Sequence, residues 1–217
     1  MRIIIPGEKP LCQNNDLHLT ISLKEKEKSM PKICFCEKGE LLKNGGFETP
    51  SFSPSEVFAG WIVQSRTLDI ELVKDTENVY EGRAAASVRT TSPSGPFTST
   101  LILRQYVKVT PGCLYRLKFA ERLVTFGQTD GNVHLLIARL VYLDGRQNEY
   151  ELLNIPIQKT AADEKYNLRE QIADLPVPCD VPGIIVQFSF YIIDTPGSVW
   201  NLDAVSLQAV SRISACC

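Results

Sequence analysis

Between Leu101 and Val109 the chain alternates. Leu101, Leu103, Gln105, Val107 and Val109 fall on one side of an extended segment, because successive strand side chains point to opposite faces. Pro111-Gly112 then marks a turn. Beyond it Tyr115, Leu117 and Phe119 face one way, while Arg116, Lys118, Ala120 and Arg122 face the other. A period of two excludes an amphipathic helix over both segments and predicts a pair of half-buried strands.

Two further segments are apolar on both faces. From Val133 to Leu143, one side carries Leu136, Ala138, Leu140 and Tyr142. The other carries Val133, Leu135, Ile137, Val141 and Leu143, broken only by Arg139. Ile184 to Ile193 repeats this, with Val186, Phe188, Phe190 and Ile192 against Ile185, Tyr191 and Ile193. Strands of this kind are normally covered on both sides, whereas a plain two-layer sandwich has polar outer faces. Either something covers the outer face, or a large core leaves a few apolar residues showing. Trp61-Ile62-Val63 and Ile70-Glu71-Leu72-Val73 add two more strands. Thr49–Pro54 and Thr90–Pro96 read as loops, and only Thr160–Asp174 has any helical character. At 217 residues, this predicts one all-β domain with an extension.

The extension is at the front. Leu17, Leu19, Ile21 and Leu23 alternate with polar neighbours, as in a half-buried strand. Ile33-Cys34-Phe35-Cys36 reads as a second strand with both cysteines on one side. So few residues make no core of their own. Residues 1–40 are therefore expected to be an extended arm, 41–210 the domain, and 211–217 a tail.

A net charge of −2 gives no basic patch, so nucleic acid is not an expected partner. No apolar run approaches the roughly 20 residues that span a bilayer, and membrane insertion is not expected. The run Ile3-Ile4-Ile5 is too short for a conventional signal peptide.

Leu41-Leu42-Lys43-Asn44-Gly45-Gly46-Phe47-Glu48 reads as a short apolar strand entering a turn, with an aromatic plug and a carboxylate behind it. After it come Gly60-Trp61, then Tyr80-Glu81-Gly82-Arg83-Ala84-Ala85-Ala86, then the run from Gln105 to Gly112. Trp200-Asn201-Leu202-Asp203-Ala204-Val205-Ser206-Leu207 stands near the end. Over residues 41–210 this order resembles the galactose-binding-like jelly rolls, which include many carbohydrate-binding modules. It looks most like the jelly-roll domain that precedes collagen-like repeats in surface proteins of spore-forming Gram-positive bacteria. No Gly-X-Y tract occurs here, which departs from that pattern. The resemblance implies a jelly-roll β-sandwich. It also implies a structural Ca²⁺ shared by the opening and closing carboxylates, which here are Glu48 and Asp203. The closing motif often has two consecutive acids, and its second place is Ala204. The alternative for these carboxylates is hydrogen bonding to nearby backbone. Calcium takes six to eight oxygens, many of them carbonyls that a sequence does not display.

Catalysis is not expected. His18 and His134 lie in no nucleophile or metal motif, and carboxylates such as Glu121 and Asp130 are expected at the solvated surface. Carbohydrate recognition has candidates in the aromatics Tyr106, Phe126, Tyr142, Tyr191 and Trp200, with Arg104, Arg122, Gln128 and Arg139 as hydrogen-bond partners. Aromatics on strands serve equally as core.

Seven cysteines are present, and Cys12, Cys34, Cys36, Cys216 and Cys217 lie outside the expected domain. On a strand Cys34 and Cys36 would stand about 6.7 Å apart, at the limit of disulfide geometry. Adjacent Cys216 and Cys217 would need a strained ring. All five are expected to cross-link to neighbouring chains. Cysteine-rich ends without a signal peptide are in conflict, because cytosolic thiols stay reduced. The resemblance implies a resolution, since spore-coat proteins are made inside a mother cell and released by its lysis. The expectation is an extracellular or spore-surface subunit that polymerises with copies of itself by strand donation. The alternative is a carbohydrate-binding module or lectin-like adhesin acting on surface glycans.

Overall fold

The computed structural model describes residues 35–52, 57–65, 67, 69–91, 98–127, 133–193 and 197–212. Those residues are strands and loops, without a helix. The strands in chain order are β1 (Ile62–Ser65), β2 (Ile70–Asp75), β3 (Ala85–Thr90), β4 (Thr98–Lys108) and β5 (Cys113–Thr125). They continue with β6 (His134–Leu143), β7 (Glu149–Lys159), β8 (Asn167–Ile172), β9 (Gly183–Ile193) and β10 (Val199–Arg212). They form two antiparallel sheets, ordered β1-β4-β9-β6-β7 and β2-β3-β10-β5-β8. This is a jelly-roll β-sandwich. No described helix is long and apolar enough to cross a membrane.

The alternating segments fall where their period puts them. Leu101, Leu103 and Val107 of β4 are buried, as are Tyr115, Leu117 and Phe119 of β5. Phe188 of β9 meets Phe119 of the opposite sheet edge-on at 5.1 Å and Trp61 at 6.2 Å. Phe190 meets Trp200 at 6.0 Å. Burying each such ring contributes about 1.5–3 kcal/mol, so these contacts hold the two sheets together.

Thr160–Asp174 is not helical. It carries β8, which pairs with β5 from Arg116↔Ile172 to Glu121↔Asn167. Ladder pairing at the edge of a formed sheet outweighs weak helix propensity. Glu121 is fully buried rather than solvated. Its carboxylate takes Arg169 at 2.9 Å, Lys159 at 3.2 Å and the Trp200 indole N–H at 3.1 Å. Lys159 lies on β7, so this cluster joins the two sheets at their flank.

The opening and closing motifs dock on each other. Leu41 N–H donates to Leu207 at 3.0 Å, and Val205 N–H donates to Gly45 at 2.9 Å. A Cβ on Gly45 would stand 1.9 Å from the Val205 carbonyl oxygen, so only glycine permits the approach. β10 is irregular there, with a register shift between Asp203 and Ser206 and Ala204 at φ 48°. Leu41 is irregular and Leu42 is a bend, so neither is strand. Phe47 is fully buried between Phe58 at 5.1 Å and Trp61 at 5.3 Å.

The segment just before residue 41 is tied to the sandwich. Glu40 accepts from Leu207 N–H at 2.9 Å and from the Ser206 hydroxyl. Cys36 is bonded to Cys113 at the start of β5, so it does not cross-link chains as expected. Phe35 and Cys36 have irregular backbone, and a partner lay within the same chain. Cys179 is disulfide-bonded as well. β10 runs to Arg212, past the expected boundary at 210. Leu17, Leu19, Ile21, Leu23, Cys12, Cys34, Cys216 and Cys217 lie outside the described residues.

Candidate functional site

The outer face of the β1-β4-β9-β6-β7 sheet carries a polar row. Ladder pairing places Arg104 of β4 opposite Gln187 of β9, and Gln187 opposite Arg139 of β6. Ile62 and Asn154 continue the row at either end. All three central residues alternate with core positions, so they point away from the sandwich interior. Gln187 has 0% exposure even so. Its amide nitrogen donates to Ser189 at 2.9 Å, but its Oε1 accepts nothing. Arg104 Nε and Arg139 Nε are likewise buried without partners. Leaving a buried polar group unpaired costs about 1–3 kcal/mol, and three such atoms converge in this row.

The charges of the row are uneven. Arg139 lies 3.1 Å from Glu149 and 3.9 Å from Glu151, both on β7. Asn154 holds Glu151 by hydrogen bonds of 3.0 and 3.1 Å. Arg104 has no ion pair and no side-chain hydrogen bond among the described residues. One residue pair along, Tyr106 stands outward beside Ile185 and is 57% exposed. Its ring lies against Gly183, where a Cβ would come within 2.1 Å of the phenol oxygen. Tyr191 faces outward on β9, between Thr100 and Leu135. The face thus offers guanidinium and amide groups beside an exposed aromatic ring.

The other expected aromatics are elsewhere. Trp200 is at 0% exposure inside the core, a correction that follows from its indole N–H being satisfied by Glu121. Phe126 stacks on His134 at 4.4 Å, and Tyr142 on Tyr150 at 5.2 Å. Both are partly buried and pack against the core edge. Arg122 belongs to the other sheet and donates to the Asp163 carbonyl. Gln128 lies outside the described residues. Gln187 was not singled out from sequence. Its signal was a polar residue interrupting an apolar strand, the same signal that Arg139 gave.

A second polar region lies at the opening and closing motifs. Gly46, Glu48, Tyr80, Lys118 and Ser206 line a groove of about 610 Å³. Glu48 Oε1 accepts from Arg83 and Ala84 N–H at 2.5 and 3.2 Å. Asp203 Oδ2 accepts from Tyr80 and Glu81 N–H at 2.8 and 3.1 Å, and its Oδ1 from Ala204 N–H at 2.6 Å. Burial pushes the Asp203 carboxyl above the usual range, the loop amides oppose this, and the Glu48 charge adds to it. The described residues contain no group of three or more His, Cys, Asp and Glu arranged for a metal. The pair fits calcium in kind. Both are hard oxygen donors, the Glu48 charge disfavours the ionised form of Asp203, and the remaining ligands would be backbone carbonyls.

No family model matches the chain, and no curated protein matches it. Solved structures do. The carbohydrate-binding module TmCBM61, solved with β-1,4-galactotriose, has a TM-score of 0.52 at 21% identity, over 79% of this chain and 99% of that one. The CBM22-1 xylan-binding domain of Paenibacillus barcinonensis Xyn10C has a TM-score of 0.53 at 12% identity, over 83% and 100%. The fold is that of the carbohydrate-binding-module jelly rolls. An α-L-arabinofuranosidase, MgGH51, matches over 78% of this chain but only 26% of its own length, with a TM-score of 0.52 at 17% identity. The fold therefore also occurs as one part of an enzyme.

Proposed function

We propose that this chain is a non-catalytic glycan-binding module, and that its binding surface is the outer face around Arg104, Gln187 and Arg139. The unpaired polar row carries this reading. Sugar hydroxyls are both donors and acceptors, so they can pair with the arginine N–H groups and the Gln187 carbonyl together. Tyr106 supplies the flat apolar surface that a sugar ring stacks on. The TmCBM61 and CBM22-1 folds, named for a bound galactotriose and for xylan, support the class of ligand. Isothermal titration with galactan and xylan oligosaccharides tests it. Binding that Arg139→Ala or Tyr106→Ala weakens about tenfold or more, equal to 1.4 kcal/mol, supports the site. Full-strength binding by both variants would contradict it.

The Glu48 and Asp203 pair is proposed to hold a structural Ca²⁺, which would neutralise their mutual repulsion. Ligand contact is assigned to the other sheet, so the ion's role is to stiffen the domain.

Self-assembly remains the second reading, favoured by one observation. β8 is the last strand of its sheet, and Leu168 and Ile172 on it are exposed. An open edge with apolar side chains accepts an added strand, and the alternating Leu17–Leu23 segment of another copy has the pattern to supply one. Those of Cys12, Cys34, Cys216 and Cys217 that do not pair with Cys179 are the proposed inter-chain cross-links. An extracellular or spore-surface location suits both readings, and the Cys36–Cys113 bond agrees with an oxidising environment. Microscopy of the full chain and of a version lacking residues 1–34, with and without reductant, tests assembly. Fibres formed equally by both versions would remove the donated strand.

A further inference from the structure

We infer that the glycan this face takes carries a carboxylate, and that Arg104 is the residue that reads it. The inference rests on the glycan-binding reading and adds the ligand's charge. Two arginines stand in the row, but they are not equivalent. Arg139 is already compensated by Glu149 and Glu151 on β7. Among the described residues Arg104 has no such partner, and its Nε is buried and unpaired. It stands two strands away from Arg139, about 10 Å, and farther still from β7. The outer positions of β1, β4 and β9 carry no acid: they are Ile62 and Gln64, then Thr100 to Lys108, then Ile185 to Tyr191. Lys108 lies outward on β4 as well and is exposed. Arg104, Tyr106 and Lys108 thus make a strip with an aromatic ring between two positive charges.

Arg104 is only partly buried, and without a counter-ion among the described residues its guanidinium has its fork of donors free. Its planar geometry matches a carboxylate by two parallel hydrogen bonds. A uronic acid supplies that group on a sugar ring, with hydroxyls for Gln187 and a pyranose face for Tyr106. Sulfated sugars share the charge but not the planar geometry.

The test is calorimetric titration of the intact chain with matched pairs. Trigalacturonate is compared with its methyl ester, and a glucuronate-bearing xylo-oligosaccharide with the unsubstituted one. A heparin oligosaccharide represents sulfate. The uronate member of at least one pair is expected to bind about tenfold tighter or more than its neutral partner. High salt should shrink that preference. Arg104→Gln should abolish the preference, so that the charged and neutral members of each pair bind equally at whatever affinity remains. Arg104→Lys, which keeps the charge without the fork, should retain part of it. Equal affinity for charged and neutral partners would overturn the inference and leave the glycan-binding reading standing. Preference for the sulfated sugar alone would overturn the carboxylate assignment. Binding of no glycan, charged or neutral, by a protein with folded-state circular dichroism would remove both readings.

Discussion

Glu48 and Asp203 hold opposite ends of one loop. Asp203 takes the amide protons of Tyr80 and Glu81, and Glu48 takes those of Arg83 and Ala84. The two carboxylates come from opposite ends of the sequence, so the loop locks the opening motif to β10. Hydrogen bonds to charged groups contribute about 1.5–3 kcal/mol each. Asp203→Ala is expected to lower unfolding free energy by about 3 kcal/mol, and the more exposed Glu48→Ala by about 1–2 kcal/mol. Because both act on one loop, the double variant should lose less than the sum. Urea denaturation measures all three. Strict additivity would show that the carboxylates act independently.

The same pair gives the calcium prediction. The Asp203 carboxyl lies above its ordinary 3.8, chiefly through burial. An acid raised on folding contributes stability below its unfolded value, and that contribution is lost as pH rises through the folded value. A bound Ca²⁺ favours the ionised form, so it should lower the Asp203 midpoint and raise Tm by mass action. EDTA should reverse the gain, and Glu48→Gln should abolish it. A Tm indifferent to Ca²⁺ and EDTA would leave the loop amides as the sole partners of both carboxylates.

The Cys36–Cys113 bond closes a sequence separation of 77. Loop-closure entropy of that size corresponds to about 4.5 kcal/mol. Cys36→Ser is the informative variant, because Cys113 is fully buried and its replacement adds a packing loss. The variant should unfold at lower urea and respond less to reductant than the wild type, since the Cys179 disulfide remains. A wild-type Tm unmoved by reductant would contradict the bond's contribution.

Gln187 separates function from stability. Its Oε1 is buried without a partner, so Gln187→Leu removes an unsatisfied acceptor and is expected to leave stability unchanged or raise it slightly. Glycan affinity should nonetheless fall. A variant with lost stability and intact affinity would make Gln187 a core residue.

The sheets were legible because half-buried strands print a period of two, as Leu101–Val109 and Tyr115–Phe119 do. β8 was hidden because an edge strand lies exposed on both sides and shows no apolar alternation. Gly45 was readable as part of a turn, but its close approach to the Val205 carbonyl depends on a bulge in β10. Of the site, Arg104, Arg139, Tyr106 and Tyr191 were singled out by residue type. Their shared face follows from the pairing of β4, β9 and β6, which is a property of the ladder and not of any one segment. Trp200 was misread because a buried indole and an exposed one look alike in sequence, and its partner Glu121 is distant along the chain. Cys36 was assigned outward because Cys113 is also distant along the chain.

The central claim is that glycan binds across β4, β9 and β6. Side-chain NMR tests it most directly, by following the Arg Nε–H signals and the Gln187 amide during titration with an oligosaccharide. The account predicts that the Arg104, Arg139 and Gln187 signals move together and saturate at one Kd, while the Arg116 and Arg169 signals of the other sheet stay fixed. Saturable shifts confined to Arg116 and the groove beside Glu48, with Arg104 and Arg139 unmoved, would contradict it.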